Sequence, residues 1–287
     1  MTEALHLTSG DCCGELLRHS DVPGEVFVWH DVLYDGPVRV PGWPSAEALA
    51  ARANFLSAFT AGGLSVVEVE STLSQQYQVL KQRGERPLVL WFDACLFDMA
   101  MLVHVIARLA DTNTAGVELL VVDAHPAVVP YDGLGQLSPV QLAACYPQRA
   151  PLGDDQVVYA QRVDAAFAQQ DDAALQALAA EHDAPLPWVP AACARWLQER
   201  PDPLTGLGRL ASLALAAIRS GHSAPGELMR AVFTADGHPV FWGDISLWAA
   251  INDLADRNVV QISGPAPRLP QWTEGVRVAD FAITPQA

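Results

Sequence analysis

The first 122 residues alternate between short apolar runs and segments of helical period, and that alternation admits few architectures. Leu5–Leu7, Val26–Trp29, Pro87–Phe92 and Val117–Val122 have the length and composition of strands. Helices are expected over Cys12–His19, from an N-cap at Ser45 to Phe59, and over Phe97–Leu109. Val66–Val69 has strand composition. However, Val66, Val69, Leu73, Tyr77 and Leu80 recur at helical spacing, so one helix to about Arg83 is expected. Strands alternating with helices are the signature of crossover connections in a parallel sheet. The unbroken apolar character of Val26–Trp29 fits a strand buried on both faces.

Beyond residue 135 the pattern becomes helical. Ser138-Pro139-Val140-Gln141 combines an N-cap, proline at the first helical position and glutamine at the third. One Ala-rich helix is expected over Val163–Ala180 and another over Ala191–Glu199, with Pro201-Asp202-Pro203 as a hinge. Helices over Leu207–Arg219, Gly226–Phe233 and Ile245–Arg257 then precede a hairpin of Val259–Ile262 and Gly275–Val278. The expected fold class is α/β. A parallel-sheet, Rossmann-like domain (1–135) is followed by a helical linker region (136–203) and a winged-helix-like module (204–287).

Charge and cysteine usage narrow the function classes. A formal net charge of −16 repels phosphate backbones and anionic lipid, so nucleic acid and membrane surfaces are disfavoured as partners. From Leu204 onward, six arginines face seven acids, which favours a protein partner over DNA for that module. The five cysteines form no CxxC pair and fit a reducing, cytoplasmic setting. No signal peptide or membrane span is expected.

Polar residues concentrate where the predicted strands end. Ser9-Gly10-Asp11 follows the first strand and His30-Asp31 the second; Asp93 and Asp123 end the other two. Ligands of open α/β sheets bind outside the carboxyl ends of the strands. Gly10 would let a ligand approach the following helix N-terminus, where the dipole favours anions. Asp11 is equally suited to cap that helix. Asp31 lies 21 residues after Gly10, near the spacing of a ribose-binding carboxylate, but the GxGxxG glycines are missing. Asp31 and His30 are the candidate catalytic residues. Ser9, Gly10, Asp11, Asp35, Arg52, Asp93 and Asp123 are the candidate ligand contacts. Clustered carboxylates need a balancing charge, either Arg52 or a hard cation such as magnesium. Asp35-Gly36-Pro37 is also ordinary turn chemistry. Cys12 and Cys13 are expected to pack a tight turn, and His104 to be a satisfied core histidine.

Several strings together resemble the bacterial "domain of unknown function 1835" family. They are Leu5-His6-Leu7-Thr8-Ser9-Gly10-Asp11, Asp31-Val32-Leu33-Tyr34-Asp35-Gly36-Pro37, Arg52-Ala53-Asn54-Phe55-Leu56 and Leu90-Trp91-Phe92-Asp93 with the following Phe97-Asp98. The likeness extends through Leu186-Pro187-Trp188 and Gly206-Leu207 to Gly243-Asp244, and so covers most of the chain. It implies a domain layout and which loops matter, and no reaction. The leading expectation is a small anionic or nucleotide-like ligand at the strand-end rim, with metal-assisted hydrolysis or group transfer as the chemistry open to it. The alternatives are a non-enzymatic regulator acting through residues 204–287 and a scaffold without a ligand.

Overall fold

The computed structural model describes residues 3–270 and 275–286. Four parallel strands form the core of the sheet: β1 (Leu5–Ser9), β2 (Glu25–Trp29), β3 (Leu88–Asp93) and β4 (Val117–Val122). A two-residue antiparallel strand, β5 (Ala150–Pro151), closes one edge, giving the order β2-β1-β3-β4-β5. Such a short edge strand has no readable period, and the sequence did not announce it. Because β2 and β3 flank β1 on opposite sides, the strand order reverses at the β1/β3 pair.

Period-two alternation sends side chains to two helical layers. Leu5, Leu7, Leu88, Leu90 and Phe92 face the larger layer. Val89, Trp91, Leu120 and Val122 face α1 (Asp11–Arg18) and α5 (Pro139–Cys145). The larger layer holds α2 (Ala46–Phe59), α3 (Val66–Gln82) and α4 (Leu96–Ala110). Capping follows the sequence closely: Ser45 accepts from Ala48 N–H, and Ser65/Glu68 and Ser138/Gln141 form reciprocal boxes. In α4, thirteen of fifteen residues are buried, as an all-round apolar helix requires.

That burial corrects the expected boundary near residue 135. The helices α6 (Asp154–Gln169), α7 (Asp172–Ala179) and α8 (Val189–Leu197) share one core with β1, β3 and α4, through Val163, Phe167, Leu175 and Trp196. The helices α6–α8 therefore belong to the core around α4 rather than to a linker, while α5 packs on the other face beside α1. The single helix expected over Val163–Ala180 is two: Gln170 is left-handed (φ 52°), and the Asp171 carboxylate caps α7 through Ala173 and Ala174 N–H, both at 3.0 Å.

Residues beyond Leu207 build a second core from α9 (Arg209–Arg219), α10 (Pro225–Asp236) and α11 (Asp244–Asp256). Beside them β6 (Val260–Ser263) pairs antiparallel with β7 (Ala282–Pro285). The hairpin partner expected at Gly275–Val278 is instead a turn. Val278–Asp280 is 3-10 helical, held by Asp280 N–H on Arg277 O at 2.9 Å, and the fully buried Ile283 fixes the register of the true strand. Asp236 joins the two cores. Its carboxylate accepts from Arg195 of α8 (3.0 Å), Arg209 (2.5 Å) and Trp242 Nε1 (2.8 Å). No helix among the described residues is long and apolar enough to cross a membrane.

One buried ion pair fixes the segment after β2. Arg52 on α2 donates Nε to the Asp31 carboxylate at 2.7 Å and uses its other nitrogens on the carbonyls of Val32 and Asp35. Gly36 (φ +96°) is needed there, because a Cβ would sit 2.7 Å from Phe55 Cδ1. Arg52→Ala would leave Asp31 buried and unpaired. It is expected to cost about 3–5 kcal/mol in urea unfolding. A loss below about 1 kcal/mol would contradict this role for the pair.

Candidate functional site

Parallel pairing puts Asp11, Asp31, Asp93 and Asp123 at the carboxyl edge of the sheet, but their side chains do not converge. Asp31 and Arg52 are committed to each other in the interior, at 6% and 4% exposure, so the expected catalytic Asp31 is a structural anchor. Asp35 has its carboxylate on the adjacent Gly36 N–H at 2.6 Å. Asp123 accepts from Trp188 Nε1 at 2.9 Å. The remaining candidates, Ser9, Gly10, Asp11, His30 and Asp93, lie where β1, β2 and β3 end.

At that edge the polar groups form two layers. The inner layer is built on Asp98, from the first turn of α4. Its Oδ1 lies 2.5 Å from Ser9 Oγ, and its Oδ2 accepts the Asp93 N–H at 2.6 Å. One carboxyl thus ties the end of β1 to the end of β3. Asp93 in turn accepts from Tyr131 OH (2.7 Å) and Leu134 N–H (2.9 Å), drawing the loop after β4 over the strand ends. Desolvation pushes both carboxyls up. Asp98 goes further because Asp93 also opposes its ionisation; they reach about 8 and about 6. Burial, followed by the charge of Asp93, raises the Tyr131 phenol as well.

The outer layer is exposed. His30 Nε2 lies 2.8 Å from Asp11 Oδ1, and the buried Gln76 of α3 holds the His30 backbone N–H at 2.5 Å. Asp11 does not cap α1. The N-cap is Gly10, with φ +71° and no side-chain cap, and its missing Cβ faces open space. The first-turn amides of α1 therefore have no side chain of their own to satisfy them. Cys13 packs inside, against Thr8 Oγ1 at 3.2 Å, whereas Cys12 is exposed, so the expected pair of packed thiols is split.

Sequence reasoning missed Asp98 and Tyr131. The available signal was the one acid of a largely apolar helix, placed in its first turn; nothing marked Tyr131. His104 is the satisfied core histidine expected, between Tyr77 OH (2.8 Å) and Asp164 (2.9 Å). Among the described residues, no three His, Cys, Asp or Glu side chains are arranged to hold a metal ion. No family model matches the chain, and no curated protein matches it.

A raised carboxyl makes the folded state bind more protons than the unfolded chain between the two pKa values. The contribution of Asp98 to stability therefore falls as pH rises from about 4, where a free aspartate titrates, through about 8. Asp98→Asn removes the titrating proton and keeps an acceptor for the Asp93 N–H, while the Ser9 hydroxyl, which donates to Asp98, turns to accept from the new amide N–H. The substitution is expected to flatten that decline and to be the more stable form above about pH 8 in thermal unfolding. A variant that declines with pH as steeply as the parent would contradict this.

Proposed function

We infer that this protein binds a small anionic, nucleotide-like molecule at the carboxyl edge, over the N-terminal end of α1. The observation that carries the reading is the open approach at Gly10, placed where the strand order reverses. Backbone N–H groups at such a helix end favour an anionic group, and a glycine lets it come close. A proton retained by the Asp98–Asp93 pair lowers the negative charge beside it. The His30–Asp11 pair is exposed next to α1 and has the carboxylate–imidazole arrangement of a proton acceptor and donor. Hydrolysis or group transfer on the bound molecule is the chemistry this supports. The layout is Rossmann-like in this reading, and the resemblance to the domain of unknown function 1835 family belongs to the same proposal. The separate core of residues 207–283 favours a second reading, in which a winged-helix-like module takes a protein partner.

The test is thermal unfolding and calorimetry with inorganic phosphate, AMP, ATP and NAD. A binder present at about 100 times its Kd is expected to stabilise the protein by about 2.7 kcal/mol. Gly10→Ala, which meets no atom in the folded protein, is expected to abolish that gain. It should lower basal stability by about 1 kcal/mol, through the left-handed backbone. His30→Ala is expected to keep binding and to lose turnover. No stabilisation by any of the four probes, or an undiminished gain in Gly10→Ala, would overturn the reading.

A further inference from the structure

The Asp31–Pro37 segment, which the strand-edge site does not use, leads to a separate cavity. With Asp31 anchored by Arg52, the next residues Tyr34 and Asp35 reach the junction between the two cores. There a cavity of about 490 Å³ opens between α8, the 206–211 segment and α11. This lies within the ~300–1,000 Å³ typical of small-molecule sites. Its floor is polar and buried: Tyr34 OH and Ser246 Oγ lie 2.5 Å apart. Trp196 donates Nε1 to the Tyr34 backbone carbonyl at 2.8 Å, which fixes the indole, while the Ser246 hydroxyl holds the Tyr34 ring. Phe59, Trp196, Leu207 and Leu210 supply apolar wall, and Ala249 and Ala250 leave the α11 side unfilled.

The charges at the mouth define the ligand. Three acids and two arginines line the cavity, but most are already engaged. Glu199 is held by Arg195 and accepts the Leu210 N–H at 3.1 Å. Asp253 pairs with Arg257 at 2.8 Å. Asp35 has no ion-pair partner among the described residues; its carboxylate is on the Gly36 N–H alone. Arg200 sits 4.3 Å over the Trp196 ring and pairs with Asp172 on the exposed side at 2.8 Å. Exposed pairs such as Arg200–Asp172 and Arg257–Asp253 contribute little, so a ligand carboxylate can replace either acid while Arg200 stays over Trp196 and Arg257 keeps its bond to Gly206 O (3.0 Å). One unpaired carboxylate and two exchangeable guanidiniums around an aromatic wall match a molecule with both charges and an apolar body.

We propose that this cavity binds a zwitterionic amino acid or dipeptide with a large apolar side chain. Its ammonium pairs with Asp35, its carboxylate with Arg200 and Arg257, and its side chain lies against Trp196 and Phe59. The site is independent of the strand-edge reading and stands or falls without it.

The experiment is calorimetry and saturation-transfer NMR on the full chain with L-tryptophan, the dipeptide Phe-Leu, tryptamine and indole-3-propionate. At least one zwitterion is expected to bind, and whichever of the two binds tighter gives the size class. Tryptamine lacks the carboxylate and indole-3-propionate the ammonium, so each is expected to bind at least about tenfold more weakly than the tighter zwitterion. Asp35→Asn, a conservative change at an exposed side chain, is expected to weaken that zwitterion about tenfold. Ala250→Trp is expected to fill the space and abolish binding. Failure of both zwitterions to bind would overturn the proposal. So would a half-charged analogue binding as tightly as the zwitterion, or unchanged affinity in Asp35→Asn.

Discussion

The strand ends at the centre of the sheet are held by a single buried carboxyl. Asp98 is 2% exposed, yet it contacts Ser9 of β1 and the Asp93 N–H of β3 at once. Two parallel strands whose connections leave in opposite directions have no turn to join them at this end. A side chain from the following helix does the joining. Desolvating an ionised carboxylate there would cost several kcal/mol, and the site responds by holding its proton more tightly. The same tie places the first turn of α4 against the sheet, where the apolar remainder of that helix can be covered on every side.

The other buried charges are structural in a similar way. Asp164 on α6 receives His104 (2.9 Å), Arg108 (3.3 Å) and Arg39 (3.5 Å), so one carboxylate joins α6, α4 and the loop after β2. Burial alone would raise its pKa, but these three neighbours hold it down at about 2. Burial keeps His104 itself below the ordinary histidine value. Arg52 with Asp31 and Asp236 with its arginines repeat the pattern at other joints. Acids that the sequence scatters are gathered by arginines into packing joints, while the His30–Asp11 pair stays exposed.

Local rules carried most of the fold. Apolar runs located all four parallel strands. Helical spacing settled Val66–Gln82 against its strand-like composition, and the Ser45 and Ser138 caps fixed helix starts. What failed depended on distant partners. The helices α6–α8 read as a linker because nothing local marks their partner; only α4, buried on every side, shows why they pack inward. The second strand of the hairpin was misplaced because Val276 and Val278 look as strand-like as the true partner around Ile283. For the candidate site, Ser9, Gly10, Asp11, His30 and Asp93 were legible as polar residues after strands. That Asp31 would turn inward to Arg52 was not, since a carboxylate near a strand end looks the same whether its partner is a ligand or a neighbouring helix.

The most direct measurement is a pH titration of the Asp93 and Asp98 side-chain carboxyl carbons by NMR in the intact protein. If a buried, proton-retaining carboxyl pair ties β1 to β3, both resonances titrate above the free-aspartate range in two steps that they share, with Asp98 keeping its proton to the higher pH. Both resonances titrating together near about pH 4, the value of a free aspartate, would show two ordinary solvated acids and contradict the account.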